Sequence, residues 1–448
     1  MKTLRSTAVA ITALALTGAL VSGCSSSKPT GAAASAPVTQ AQIDQAMDTP
    51  TTLNLWAWVP DIQHEVDLFE QKYPKIKVNI VNNSGATGQY VKLRAALQSG
   101  KGIPDVAQIG YDHISTFTQT KSLLDLTPYG GAKLATDFVP GIWSQVALNG
   151  GVWAIPQDSG PMGTLYRTDL FSKAGVSAPT TWDQFATAAQ AIKDKTGAYI
   201  TDMPGNDMPQ MLGLFSQAGV APFSYDGKST VSINLDSPAA QKVVSYWQNL
   251  IQKNLVATDP DFTDGWYQGL SRGQYASWLT AAWGPVFLQG TAKNTSGSWA
   301  AATLPQWQAG QNVSANWGGS SNAVMAASTH PIAAYELAKF INDDPASTVM
   351  LANQQFLYPT TTATLTNPQF SDAKSDFYGG QQVNKFFAGV SATVADNLQW
   401  VPFMDSVNSS YDDTVGKAIT NHTDMVGALA VWQQQVVDYA KKQGFTVK

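Results

Sequence analysis

One stretch near the front, Thr52 to Asn82, narrows the fold class before anything else in the chain. It reads TLNLWAWVPDIQHEVDLFEQKYPKIKVNIVN. Leu53, Leu55, Trp56 and Trp58 make a short apolar run that stops at Pro60, which predicts a strand. Val66, Leu68 and Phe69 then fall on one face of a helix between Asp61 and Tyr73, and Pro74 ends it. Ile76, Val78, Ile80 and Val81 restart a strand. Strand, helix and strand at this spacing form a crossover unit, and a crossover unit needs a parallel sheet. Ligands of open α/β sheets sit beyond the carboxyl ends of the strands. Here that end carries Trp58 and Asp61, an aromatic face beside a carboxylate.

The chain ahead of this unit is an address rather than a fold. Lys2 and Arg5 precede an apolar run from Ala8 to Leu20, too short for a stable membrane span. Val21-Ser22-Gly23-Cys24 follows, and Cys24 is the only cysteine in the chain. An aliphatic residue, two small residues and a cysteine resemble the bacterial lipoprotein signal, in which that cysteine is lipidated and becomes the new N-terminus. Residues 1–23 are then a signal peptide, and removing them takes two cations from a chain whose net charge is already −5. Residues 24–50, rich in Ser, Ala, Pro, Thr and Gln, read as a flexible tether.

Composition excludes several functions. One cysteine allows no disulfide framework and no cysteine-based zinc site. His64, His113, His330 and His422 are scattered without paired spacing, which argues against a metal, and no motif calls for a cofactor. Only four cations are arginines (Arg5, Arg94, Arg167 and Arg272), and no basic patch points to nucleic acid. Charged residues make up 13% of the chain, about half the usual share of about 25%. Fourteen tryptophans are more than a core of this size needs, and their flat, weakly polar faces suit binding walls.

Along the mature chain, Gln89 to Ser99 is an amphipathic helix and Val106 to Ile109 a strand, with Tyr111, Asp112 and His113 at its carboxyl end. Gly151 to Pro156 and Gly163 to Arg167 read as two separate short strands. Thr181 is the expected N-cap of the next helix. Helices dominate from there to about Leu255, with strands at Ala276 to Leu279 and Trp299 to Leu304. Trp317 to Ser321 is a glycine-rich turn before a strand from Asn322 to Ala327. Helices at Pro331 to Ile341 and Met425 to Gln443 close the chain.

Read together, these segments resemble a family 1 extracellular solute-binding protein, the lipoprotein subunit of an ABC sugar importer. The carrying residues are Leu53 to Trp56, Leu68-Phe69-Glu70-Gln71-Lys72-Tyr73-Pro74, Ile103 to Val106, Gly151 to Pro156, Leu165 to Phe171, Pro179 to Phe185, and Trp317 to Ala327 with the helix that follows. Arg167 stands where the family usually has asparagine. The resemblance implies an α/β fold of two lobes, the type II periplasmic-binding-protein arrangement, each lobe a mainly parallel sheet flanked by helices and the ligand in the cleft between. Carried over, lobe one holds 52–160 plus 322–360 and lobe two 161–321 plus 361–448. Crossings then fall near Asp158 to Met162, Ser314 to Ser321 and Tyr358 to Thr362, where Gly160, Gly163, Gly318 and Gly319 would let dihedrals change. It also implies permease subunits as partners, a monomer, and an extracytoplasmic, lipid-anchored location.

A sugar presents apolar C–H faces and polar edges, so its pocket needs flat aromatics and short polar side chains. The resemblance places Trp283 where the family stacks an aromatic on the sugar, and Asp112 with Tyr111 where it accepts sugar hydroxyls. Trp317, Gly318, Gly319 and Asp158 sit at the crossings. Trp58, Asp61, Asn206, Asp207, Trp266 and Tyr358 read equally as ligand contacts or structural residues. His113 reads as a helix-entry residue. Gln157-Asp158-Ser159-Gly160-Pro161 is a decoy: it lacks two glycines of the trypsin-like signature, and no matching histidine motif exists. Two rival readings stay open. A secreted glycosidase would use a carboxylate pair such as Asp112 and Asp158. A binder of another solute, a polyamine or metal, would need a strongly acidic or histidine-rich cleft.

Overall fold

The computed structural model describes residues 36–59, 61–82, 86–355 and 357–448. The signal segment, Cys24 and the tether as far as residue 35 lie outside the described residues. The rest of the expected tether is ordered differently from its composition. Gln40–Met47 is a helix whose N-cap Thr39 forms a capping box with Gln42, and Val38 N–H donates to the Pro128 carbonyl at 2.8 Å. Ile43 and Met47, four apart, face the core. The capping box outweighs a linker-like composition.

The strands are β1 (Thr51–Ala57), β2 (Ile76–Asn82), β3 (Val106–Gly110), β4 (Ala147–Leu148), β5 (Gly151–Val152) and β6 (Ile155–Arg167). They continue with β7 (Phe223–Tyr225), β8 (Thr230–Ile233), β9 (Ser277–Ala281), β10 (Trp299–Thr303), β11 (Asn316–Val324) and β12 (Thr446–Val447). The opening unit is as its pattern predicts. β1 and β2 pair in parallel from Thr51↔Ile76 to Ala57↔Asn82, and the helix Gln63–Lys72 buries Val66 and Phe69 between them. Each of these apolar side chains, with Leu53 and Leu55, stabilises the fold by about 1.5–3 kcal/mol on burial.

The main sheet runs β10-β6-β11-β3-β1-β2, with β9 also on β6. β6 and β11 organise it. β11 lies antiparallel to both β3 and β6, so β1, β2, β3 and β6 share one direction with β11 reversed among them. Further along, β9 and β10 flank the second half of β6, both antiparallel to it, so they run alike with β6 reversed between them. Each half therefore holds like-directed strands around one reversed crossing strand, which is the two-lobed α/β arrangement. The helix Gly284–Thr291 links β9 to β10.

Two expectations change here. The separate strands before and after Gly160-Pro161 are one, β6. Pro161 is tolerated because the ladder to β11 is already irregular there, shifting register between Asn316 and Gly319. The glycine-rich turn is also strand: Gly318 and Gly319, at φ +78° and +103°, make a bulge inside β11. A second sheet, β12-β8-β7, was not expected within the helical stretch. Its hairpin turns at Asp226, whose carboxylate accepts from the N–H groups of Lys228, Ser229 and Thr230 at 2.8, 2.9 and 2.9 Å. The Thr181 cap holds, accepting from Gln184 N–H at 3.2 Å.

Candidate functional site

At the carboxyl ends of β1 and β3 lies a cavity of about 460 Å³. One wall is Trp58, Tyr90, Val91, Arg94, Gly110, Asp112 and His113; the facing wall is Met208, Pro209, Met404, Asp405 and Asn408, with Gly319 between. Trp58 is fixed by buried Gln108 of β3, whose side-chain oxygen accepts from the N–H groups of Trp58 and Val59 at 2.9 and 3.2 Å. The Gln108 amide then donates to Ser320 Oγ at 2.9 Å, tying β1, β3 and β11 at one point. The helix Tyr111–Gln119 starts directly off β3 with Gly110 as its cap, which places the Asp112 carboxylate in the first turn, where the helix dipole favours it. Gly110 is needed for space: a Cβ there would lie 2.7 Å from Asp112 Oδ1 and 3.1 Å from Tyr90 Oη.

The cavity carries two carboxylates and two cations. Asp405 ion-pairs with Arg94 and with His113 Nε2, the latter at 3.1 Å. His113 Nδ1 lies 2.9 Å from Asp112 Oδ1, an ion-pair separation that is off line for a directed hydrogen bond. The imidazole stacks on Tyr90 with ring centres 4.0 Å apart. Burial depresses the His113 pKa, but Asp112 and Asp405 together outweigh it and push it up to about 9. The charges therefore cancel, which suits a neutral polar ligand better than a polyamine or metal. Among the described residues no cluster of three or more His, Cys, Asp or Glu could hold a metal ion.

Beneath Gly319, Asp158 accepts from Ser320 N–H at 2.7 Å and from the Ser320 hydroxyl. Burial pushes this carboxyl above its usual range while the two Ser320 bonds pull it down. Buried Tyr111 donates its hydroxyl to the Asp158 carbonyl at 2.8 Å. Asp158 and Tyr111 thus hold up the Gly318-Gly319 step rather than line the cavity. On the other side of that step is an aromatic cluster. Trp283 donates its indole N–H to the Trp317 carbonyl at 3.0 Å, and their rings meet edge to face at 4.9 Å. Phe262, missed from sequence, packs on both and is 45% exposed. Its φ of +57° gives it away only in three dimensions.

Other expected residues fall elsewhere. Asp61 is exposed away from the cavity, its carbonyl accepting from Gln355 Nε2 at 3.1 Å. Tyr358 is buried, donates to the Asn384 carbonyl at 3.0 Å, and lines a different cavity with Pro285, Phe370 and Tyr378. Asn206 exchanges hydrogen bonds with Asp261, and Asp207 caps the helix Met208–Gln217 that carries the facing wall. Burial pushes the Asp207 and Asp261 carboxyls up, Asp207 further because Asp261 faces it. Trp266 is buried and donates its indole N–H to Asp202 at 3.2 Å, which makes it a core residue. Trp266→Phe is expected to cost about 2 kcal/mol in urea unfolding, because Oδ2 of buried Asp202 loses its donor while Oδ1 keeps the Asp259 N–H, with ligand affinity unchanged. Arg94, Tyr90, Met404 and Asp405 were also missed, since nothing local in the sequence links positions 94 and 405.

Comparison with known proteins bears on this geometry. Residues 27–347 match the family described as bacterial extracellular solute-binding protein. A lactose-binding protein of Rhizobium radiobacter is 27% identical over 360 residues, 75% of this chain and 81% of that protein. The solved structure of an ABC transporter associated binding protein from B. animalis subsp. lactis Bl-04, in complex with β-1,6-galactobiose, is 32% identical with a TM-score of 0.76, covering 89% of this chain and 99% of that one. The galacto-N-biose-/lacto-N-biose I-binding protein of Bifidobacterium longum, at 24% identity and a TM-score of 0.77 over 89% of this chain and 98% of that one, shares the fold.

Proposed function

The chain belongs to the bacterial extracellular solute-binding protein family, and from that premise we propose that it is the capture subunit of an ABC importer for a neutral oligosaccharide. The observation that carries this reading is the charge-balanced cavity: an aromatic side chain at Trp58, a carboxylate at Asp112, and half-buried Gly319 between the walls, with the Trp283 platform one step away. Aromatic faces take the C–H side of a pyranose and the carboxylate accepts its hydroxyls. The printed ligands of similar proteins, lactose and β-1,6-galactobiose, belong to the same chemical class. Two separated aromatic faces favour a ligand longer than one ring.

In this reading residues 52–160 with 322–360 and 161–321 with 361–448 are two lobes that close on the sugar, hinging where β6 and β11 cross. A ligand drives closure only through contacts that the closed form adds. Cys24 carries the lipid that anchors the protein at the outer face of the cell membrane, and a permease reads the closed form. Capture proceeds without turnover in this reading: Asp405 is paired with both Arg94 and His113, which leaves Asp112 to accept sugar hydroxyls rather than to act with a second free carboxylate.

The test is a thermal-shift panel of neutral disaccharides and trisaccharides, each mixture then checked by mass spectrometry. A bound sugar at about 100 times its Kd should add about 2.7 kcal/mol of stability and be recovered intact. A panel with no shift would contradict the binding reading, and recovery of shortened sugar would favour a glycosidase.

A further inference from the structure

We propose that His113 is a positioning residue for this cavity, a single imidazole ring that orients its neighbour Asp112 on one wall and sets the spacing to the facing wall by holding Asp405 there. The inference rests on the oligosaccharide reading only where it takes Asp112 as a ligand contact; the bridge itself is a property of the chain without sugar.

Three features argue for His113 over its neighbours as the spacer. Its ring is clamped flat on Tyr90, so its two nitrogens point in fixed directions. Each nitrogen lies within ion-pair distance of one carboxylate, Nδ1 of Asp112 at 2.9 Å and Nε2 of Asp405 at 3.1 Å. The side chain of His113 is 10% exposed, whereas that of Arg94, the other partner of Asp405, is 42% exposed. Asp405 is itself 59% exposed, so solvent screens both of its pairs, and the one with Arg94 more because both of its partners are exposed. The same helix adds a neutral tie, Thr116 Oγ1 donating to the Pro402 carbonyl at 3.0 Å, just ahead of Met404. Of these three ties between the walls, His113 to Asp405 is the one made by a buried side chain whose charge can be removed.

The groups facing His113 are Asp112 on its own helix, Tyr90 and Arg94 on the helix Ala86–Ser99, and Asp405 on the helix Met404–Tyr411. The charge-assisted part of the bridge needs the imidazolium, whereas a neutral ring protonated on Nε2 keeps only a plain hydrogen bond to Asp405. The folded-state pKa of His113 is raised from 6.5 to about 9, so its contribution is full below pH 6.5 and is lost as pH rises through about 9. At the acid end the bridge fails when Asp405 protonates, and His113 holds that carboxyl below its usual range. Spacing and sugar affinity should thus be steady near neutrality and fall on the alkaline side.

Imidazole-labelled NMR of the full chain tests this, since only four histidines are present. One resonance, absent from His113→Gln, should titrate near pH 9 in the wild type, and Asp405→Asn should lower that midpoint by about one unit. A His113 that titrates near 6.5, or whose midpoint ignores Asp405→Asn, overturns the bridge. With any sugar that scores in the thermal panel, wild-type affinity should fall above pH 9 while His113→Gln, already weakened, stays flat there. A shifted His113 in a chain that takes no sugar would keep the bridge and end the oligosaccharide reading; sugar binding with an unshifted His113 would do the reverse.

Discussion

Gly160→Ala is expected to destabilise the protein by about 3 kcal/mol or more, since among the described glycines an added Cβ meets its closest backbone contact there. The glycine sits mid-strand in β6, without a positive φ, so dihedral freedom is not its reason. Its reason is approach. The bulge in β11 swings the Trp317 carbonyl over Gly160, and a Cβ at Gly160 would overlap that oxygen, lie 2.8 Å from its carbon, and press on Ala281 Cβ at 3.1 Å. All three are held by sheet or backbone, so no flexible side chain can give way. Gly160 N–H also donates to Asn316 Oδ1 at 2.8 Å, which pins the two strands at the same level. The displaced carbonyl is the one that accepts from the Trp283 indole, so the methyl reaches the aromatic cluster as well. Urea unfolding measures the loss and tryptophan emission reports the cluster. A loss under about 1 kcal/mol would mean that β6 and β11 do not cross this closely.

Trp283→Ala is expected to weaken oligosaccharide binding by about 30-fold, equivalent to about 2 kcal/mol, as for an aromatic anchor. Trp283 is half-buried and its indole N–H is already spent on Trp317, so what it offers a ligand is a ring face. Trp278 and Phe287 hold that ring at 5.8 and 5.9 Å, edge to face. Trp283→Phe keeps a face and should retain most of the affinity, which separates stacking from loss of packing. Calorimetric titration of both variants decides the matter. Unchanged affinity in the alanine variant would move the sugar off this platform and leave it to Trp58 alone.

Why some of this was legible and some not follows from where each signal sits. β1, the helix Gln63–Lys72 and β2 were readable because their apolar periods are local and Pro74 marks the break. The Asp226-Gly227 turn carried a hairpin signal that the surrounding helical pattern obscured. Gly160 and Gly163 were noticed for dihedral freedom, and the structure adds close packing: a Cβ at Gly163 would lie 2.9 Å from Phe387, as one at Gly160 would overlap the Trp317 carbonyl. Tryptophan abundance was half a signal. Seven of the fourteen are buried and seven half-buried, so core use accounts for Trp182, Trp247, Trp266, Trp278, Trp299, Trp317 and Trp432. The site divided in the same way. Trp58, Asp112 and Gly319 meet on the cavity, because each ends or interrupts a strand at one edge of the sheet. Arg94, His113 and Asp405 were invisible as a set, since their pairing spans about three hundred residues and depends on the tertiary fold.

The cavity between Trp58 and Met404, with the Trp283 platform beside it, is the place proposed for a neutral oligosaccharide. Calorimetric titration of the purified chain with β-1,6-galactobiose, lactose and longer neutral oligosaccharides tests it directly. Saturable one-to-one binding of at least one of them is expected, micromolar or tighter, with a negative heat-capacity change from the buried aromatic faces. Heats of dilution alone across the whole series, from a chain that unfolds cooperatively and is therefore intact, would contradict it.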